Sequence, residues 1–150
     1  MREFTFDPEP FRVKRFQPFS ESTLGSVLLA RADDRVLAEK VALVFLDQRG
    51  AEEQRFTCRS LAEQCLRVAG ALRKLGAQNQ KTVVLSFASQ WQFVVTFYAC
   101  QLVGAIPVPI APPFTSAQLP SKLRQIEELA SRTQAIAIVT DKLLLAPFLG

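Results

Sequence analysis

The hydrophobic pattern is densest between residues 82 and 113. Thr82–Phe87 is a short apolar run rich in β-branched residues, which predicts a strand covered on both faces. Gln90–Val103 is apolar on nearly every side, so it predicts a helix buried in a larger body, with Ser89 and Gln92 spaced as a capping pair. Gly104 ends that helix, and the alternate prolines of Ile106–Ile110 favour a second strand. This stretch therefore predicts one strand–helix–strand unit.

A helix and a hairpin are predicted upstream of this unit. Leu24 to about Ala32 has a helical period, and Ser22 or Thr23 is a suitable cap. Val41–Asp47 is an apolar run, followed by a polar turn over 48–53 and a return strand from Gln54 to Thr57. Because Gly50 lies in a connection longer than two residues, we expect a β-hairpin with a loose tip.

The next helix follows the hairpin directly. Thr57 or Ser60 can cap it, and Ser60 with Glu63 makes the better capping box. Arg73, Lys74 and Gly76 form a typical helix end. One buried stripe is predicted along it, formed by Leu61, Cys65, Val68, Ala69, Leu72 and Leu75.

The C-terminal part continues the alternation. Pro120 suits the first turn of a helix whose inner face carries Leu123, Ile126 and Leu129 or Ala130. Ala135–Val139 predicts another covered strand, and Thr140 or Asp141 then caps a short helix that Pro147 breaks. The alternation predicts an α/β fold, with a largely parallel sheet flanked by helices and an N-terminal hairpin.

Composition narrows the class of protein. The chain has 150 residues, which is enough for one domain. Its 18 Lys and Arg residues against 14 Asp and Glu residues give a net charge of +4, which is too small to indicate nucleic-acid binding. Polar residues interrupt the longest apolar run, so we expect no transmembrane segment, and the N-terminus lacks a signal core, so we expect a cytoplasmic protein. Cys58, Cys65 and Cys100 lack metal-ligand spacing and are expected to be free thiols in hydrophobic positions.

The N-terminal arm, residues 1–21, carries aromatic and basic residues together. It has five phenylalanines, Phe4, Phe6, Phe11, Phe16 and Phe19, with Arg12, Lys14 and Arg15 between the third and the fourth. One hypothesis is a contact for a partner, a membrane surface or single-stranded nucleic acid. We favour the other, an extended arm whose phenylalanines dock on their own protein, because three cations are few and the prolines exclude a continuous amphipathic helix.

Candidate catalytic residues are scarce. The sequence has no histidine, which excludes Ser-His and Cys-His catalysis, and its six glycines never cluster into a phosphate-binding loop. The adjacent carboxylates Asp33/Asp34, Glu52/Glu53 and Glu127/Glu128 lie in polar surroundings and are expected to be solvated surface groups. For Trp91 and Tyr98 one hypothesis is the lining of a ligand pocket, and the other, which their spacing on one helical face favours, is a core position. No catalytic, cofactor-binding or metal-binding residue is predicted.

Several segments resemble the adenylate-forming (ANL) superfamily, which includes acyl-CoA ligases, peptide-synthetase adenylation domains and luciferases. Phe56–Leu61 stands where that superfamily has its Tyr-x-Glu-Leu helix start, with Cys58 and Ser60 in place of Tyr and Glu. Ala71–Gly76 and Gly104–Pro109 are similar to two further scaffold motifs. Val44–Asp47, and Ala111–Pro113 with the leucine-rich stretch after it, resemble the fatty acyl-AMP ligase branch in particular.

The resemblance implies an enzyme that uses ATP and magnesium to activate a fatty acid as an acyl-adenylate and transfers the acyl group to an acyl carrier protein, often in polyketide or nonribosomal peptide biosynthesis. Residues 22–150 would be the N-terminal portion of its adenylation (AMP-binding) domain. The phosphate loop, the adenine and magnesium segments and the catalytic lysine would lie downstream, so this stretch alone is expected to be inactive and, with an open sheet edge, to self-associate.

The alternatives are an acyl-CoA ligase, an amino-acid adenylation domain, or a non-catalytic interaction module of the same fold.

Overall fold

The computed structural model describes residues 23–113 and 115–142, leaving aside the side chain of Ser116. The N-terminal half contains helix α1 (Leu24–Asp33), strands β1 (Val41–Leu46) and β2 (Glu52–Thr57), and helix α2 (Cys58–Lys74). The C-terminal half contains β3 (Thr82–Ser86), α3 (Gln90–Val103), β4 (Ile106–Pro109), a short 3₁₀ helix (Ser116–Gln118), α4 (Leu119–Arg132) and β5 (Ala137–Thr140). The N-terminal arm and the predicted last helix fall outside the described residues.

The strands form two sheets, as the alternation predicts. β1 and β2 pair antiparallel as a hairpin, and β4, β3 and β5 form a parallel sheet in that order. β3 is central and fully buried from Val83 to Ser86. The chain crosses from β3 to β4 on one side and then from β4 to β5 on the other. Because such crossovers are almost always right-handed, α3 and α4 cover opposite faces of the sheet.

Side chains of β3 alternate between two packing environments. Val83 and Leu85 pack against Leu72 of α2 and Ala99 of α3. Val84 and Ser86 therefore point to the other face, where α4 lies against β3. A second cluster joins α1, the hairpin, α2 and α3, and its aromatic members include Phe56 and Trp91, whose ring centroids are 6.2 Å apart. The helices are thus fixed on a buried central strand.

The two outer edges of the parallel sheet differ. Ile106 and Ile110 donate their backbone N–H groups to Lys81 and Leu85 next to them, so Pro107 and Pro109 face away from β3. Proline has no N–H, and the β4 edge therefore offers no donors to a further strand. β5 has no such residues along its edge. Of the two edges, the β5 side is the one at which the sheet can accept another strand.

Several observed boundaries differ from the predicted ones by one or two residues. The return strand of the hairpin begins at Glu52 rather than Gln54, and β3 ends at Ser86 rather than Phe87. β5 spans Ala137–Thr140 instead of 135–139, because Ala135 still donates its N–H to Ala130 in the turn that ends α4. Leu75 was expected to be buried, yet it is 61% exposed, because it is the residue that ends α2 and no other element within 23–113 and 115–142 covers that end of the helix.

The start of α2 also differs from the favoured prediction. Thr57 is the cap: its Oγ1 accepts from the backbone N–H of Ser60 at 3.2 Å, and Ser60 Oγ accepts from the N–H of Thr57 at 2.9 Å. Of the two predicted caps, Thr57 is therefore confirmed, and the favoured pair of Ser60 and Glu63 is wrong. The helix begins at Cys58 because Thr57, the last residue of strand β2, is also the N-cap of α2.

This arrangement predicts which substitution weakens α2. Thr57→Ala removes the cap acceptor and is expected to lower the free energy of unfolding by about 1 kcal/mol. Glu63→Ala leaves both hydrogen bonds of the cap in place and is expected to change it little. Urea denaturation followed by the fluorescence of Trp91, the single tryptophan of the chain, measures both variants. A larger loss in Glu63→Ala than in Thr57→Ala would contradict the assignment of the cap.

Candidate functional site at the carboxyl edge of the parallel sheet

The carboxyl ends of the parallel strands bring polar residues together. Ser86 and Thr140 are paired across β3 and β5, and their side chains share one face of the sheet. Asp141 follows Thr140, and the turn containing Ala88 and Ser89 leads from β3 into α3. Open α/β sheets bind ligands outside the carboxyl ends of their strands, close to the point where the strand order reverses. This edge is therefore the candidate site.

Asp141 connects the end of β5 to the turn between β3 and α3. Its Oδ2 accepts the backbone N–H groups of Ala88 at 2.6 Å and of Ser89 at 3.1 Å, across 52 residues of sequence in the second case, and the residue is only 5% exposed. A carboxylate at this position also complements the positive end of the α3 dipole. The start of α3 is thereby held by a residue of the distant strand end.

The predicted cap of α3 is confirmed in its position but not in its hydrogen bonds. Ser89 is the residue before the helix, but its hydroxyl makes no capping hydrogen bond. Thr140 or Asp141 was predicted to cap a local helix, and the contact of Asp141 with the β3–α3 turn was not predicted. The only available signal was an acidic residue directly after a buried strand of a parallel sheet, where strand ends converge.

Three hydroxyl groups at this edge lack partners among the described residues. They are the side-chain oxygens of Ser86, Ser89 and Thr140, all buried. Buried hydroxyls in folded proteins are nearly always hydrogen-bonded, because leaving one unpaired costs about 1–3 kcal/mol. Water, a ligand or a further part of the protein can form the hydrogen bonds that these three hydroxyls lack.

A groove of about 370 Å³ adjoins the start of α3. The hairpin tip supplies Asp47 and Glu53, and the turn after β3 supplies Ser89 and Gln90. The shape of the tip is fixed by Asp47, whose Oδ1 accepts from the N–H groups of Arg49 and Ala51, each at 2.8 Å. The groove therefore offers oxygen acceptors and negative charge, which suit the recognition of hydroxyl or amino groups better than of phosphates.

The implied cofactors, ATP and magnesium, do not fit this edge. The positive end of α3 already holds the Asp141 carboxylate, which would repel a phosphate group. Across residues 23–113 and 115–142 no three His, Cys, Asp or Glu side chains are grouped as metal ligands. This edge of the sheet therefore does not suit a nucleotide phosphate or a metal ion.

The remaining candidate residues take structural positions. Asp33, Asp34, Glu52, Glu53, Glu127 and Glu128 are exposed, as expected. Asp34 accepts from the backbone N–H groups of Leu37 and Val36, which lowers the pKa of its carboxyl, and Glu52 pairs with Arg55, which lowers the pKa of Glu52. Trp91 and Tyr98 pack against the second core cluster.

The three cysteines are free and buried, which confirms the expectation. Burial raises the pKa of Cys65 to about 12 and that of Cys100 to about 11. Both thiols are therefore protonated at neutral pH and serve as packing groups between α2 and α3 rather than as nucleophiles.

Comparison with known proteins identifies the class. Residues 30–144 match the family model described as "AMP-binding enzyme". Because this match covers well over half of the chain, the protein belongs to that family of adenylate-forming enzymes.

Individual relatives agree with this assignment. The chain is similar to the fatty acyl-adenylate ligase of L. pneumophila in complex with acyl adenylate and pyrophosphate, at 25% identity and a TM-score of 0.72 over 84% of this chain and 21% of that one. It shares the fold of McyG A-PCP complexed with phenylalanyl-adenylate, at 21% identity and a TM-score of 0.71 over 84% of this chain and 19% of that one.

A protein of Schizosaccharomyces pombe described as uncharacterized is 34% identical over 79 residues, which make up 50% of this chain and 5% of that protein. The chain thus spans about a fifth of the two related structures and a much smaller part of the curated relative. No helix of the described residues is long and apolar enough to cross a membrane.

Proposed function

We propose that residues 22–150 are the N-terminal portion of the adenylation domain of an ATP-dependent fatty acyl-AMP ligase. The observation that carries this proposal is the similarity to the fatty acyl-adenylate ligase of L. pneumophila, which extends over 84% of the chain. The chain spans only 21% of that structure, so the whole protein's activity is attributed to a longer polypeptide. The described residues supply scaffold to it.

The reaction proceeds in two steps. A carboxylate oxygen of the fatty acid attacks the α-phosphorus of ATP, and the bond to the β-phosphate oxygen breaks, which gives acyl-adenylate and pyrophosphate. The thiol of an acyl carrier protein then attacks the acyl carbon, forms the thioester and releases AMP with the thiol proton. Magnesium, bound by residues outside this chain, would neutralise the phosphate charges of the nucleotide.

The described residues contribute rigidity to this chemistry. Asp141 binds the end of β5 to the start of α3, and β3 is buried between helices on both faces. Such a platform keeps the carboxyl edge of the sheet in one arrangement, which an enzyme needs in order to hold reacting groups in register.

The test is ATP–pyrophosphate exchange with fatty acids of several chain lengths and with amino acids. It is run on the 150-residue chain and on the longer natural protein that contains it. We expect exchange with fatty acids in the longer protein and none in the short chain. Exchange with neither class of acid would instead favour a non-catalytic interaction module, and exchange in the short chain would overturn the assignment of residues 22–150 to scaffold.

The similarity to McyG A-PCP favours a second candidate, an amino-acid adenylation domain. It predicts exchange with amino acids in place of fatty acids. Transfer of the activated acyl group to a carrier protein separates the proposed ligase from an acyl-CoA ligase, which would transfer it to free coenzyme A.

A further inference from the structure

An apolar groove lies beside α1, on the side that faces the hairpin. We call it the α1–β1 groove; its volume is about 310 Å³. Its lining includes Leu24, Val27, Leu28, Val41, Leu43 and Tyr98. Cys58 and Leu61, in the first turn of α2, also line the groove.

The described residues leave part of this groove open. Leu24 and Val41 are 55% and 50% exposed, although both are large apolar side chains. Arg31 and Lys40 add two positive charges to its lining. An apolar groove with a cationic border favours an occupant that carries large apolar side chains and negative charge.

The chain itself supplies such a segment. The N-terminal arm ends directly before α1, with Phe16 and Phe19 close to the junction and Glu21 as the single charged residue between Phe16 and Thr23. Leu24 follows Phe19 by five positions in sequence. An extended chain spans about 3.3 Å per residue, so Phe19 can reach roughly 17 Å from the start of α1. α1 has 10 residues and is about 15 Å long, so the whole groove is within reach.

We propose that Phe16 and Phe19 of the N-terminal arm are the occupants of the α1–β1 groove. Glu21, between Phe19 and Leu24 in sequence, carries the charge opposite to that of Arg31 and Lys40. The short tether gives the arm an effective concentration in the millimolar range, which a second copy or another protein has to exceed.

Native cysteines make this proposal testable. Cys58 lines the groove and is 7% exposed, whereas Cys65 and Cys100 are fully buried elsewhere. In the full chain, the double variant Phe16→Ser/Phe19→Ser is expected to increase the iodoacetamide alkylation rate of Cys58 by at least about tenfold, because the loss of even one buried aromatic anchor corresponds to that factor. The rates of Cys65 and Cys100 are expected to stay unchanged. Phe4→Ser/Phe6→Ser, at the far end of the arm, is the matched control.

A second measurement distinguishes the occupants. Phe19 is replaced by p-benzoylphenylalanine in an equal mixture of light and heavy isotope-labelled chains, and photo-crosslinks are mapped by mass spectrometry. We expect links to residues of α1 and β1 within one isotope class. Links between light and heavy chains would mean that a second copy fills the groove and would overturn the proposal.

An unchanged Cys58 rate in the double variant would equally count against docking. If all three cysteines react faster, the variant has lost its fold, and the crosslinks of the otherwise native chain decide.

Discussion

Leu85→Ala is expected to remove about 2 to 5 kcal/mol of stability, which is the usual cost of truncating a fully buried leucine. Leu85 lies in the central strand β3 and packs between helices α2 and α3 with no exposed surface. The lost methyl groups leave a cavity, and the strand cannot move to fill it because β4 and β5 bind it on both sides. Single domains are stable by only about 5–15 kcal/mol, so this one change removes a large share.

Leu75→Ala is the matched control. The same atoms are removed, but at a position where the side chain is 61% exposed, so the expected change lies within about 0.5 kcal/mol. Urea denaturation at low micromolar concentration, followed by Trp91 fluorescence, measures both variants through their midpoints at unchanged slope. Equal losses in the two variants would mean that β3 is not the centre of the core.

Asp141→Ala is expected to destabilise the protein by about 2 to 3 kcal/mol, because two backbone N–H groups lose a charged acceptor. The contacts to Ala88 and Ser89 join the end of β5 to the start of α3, so the loss is concentrated at the carboxyl edge of the sheet. Amide hydrogen exchange is expected to speed up at Ala88 and Ser89 more than at Val83 or Val84 of the central strand.

Two further variants check the cause of this effect. Asp141→Asn keeps one carbonyl acceptor and is expected to recover part of the loss. Glu127→Ala removes a carboxylate from an exposed position of α4 and is expected to leave stability and exchange unchanged. If Asp141→Ala left stability and exchange as unchanged as Glu127→Ala, the contacts of Asp141 would not stabilise the carboxyl edge of the sheet.

Local patterns were sufficient where one segment decides its own structure. The α3 helix has the predicted bounds, Gln90–Val103, because its apolar run is long and Gly104, in the left-handed conformation, ends it. The capping of α2 and the exposure of Leu75 were not predictable in the same way. Ser60 with Glu63 is the stronger pair in sequence, yet the hairpin places Thr57 one turn earlier, and the position of Leu75 depends on what covers the helix end.

Periodicities and short motifs along the chain were sufficient to predict the α/β class, the parallel second half, the inert buried cysteines and the resemblance to adenylate-forming enzymes. Three other features became visible only in the folded chain: β3 is the central strand, β4 turns two prolines to its outer edge, and Asp141 binds the turn before α3. The physical reason is that strand order and hydrogen bonds across more than fifty residues depend on which surfaces pack together, and no local pattern records that choice.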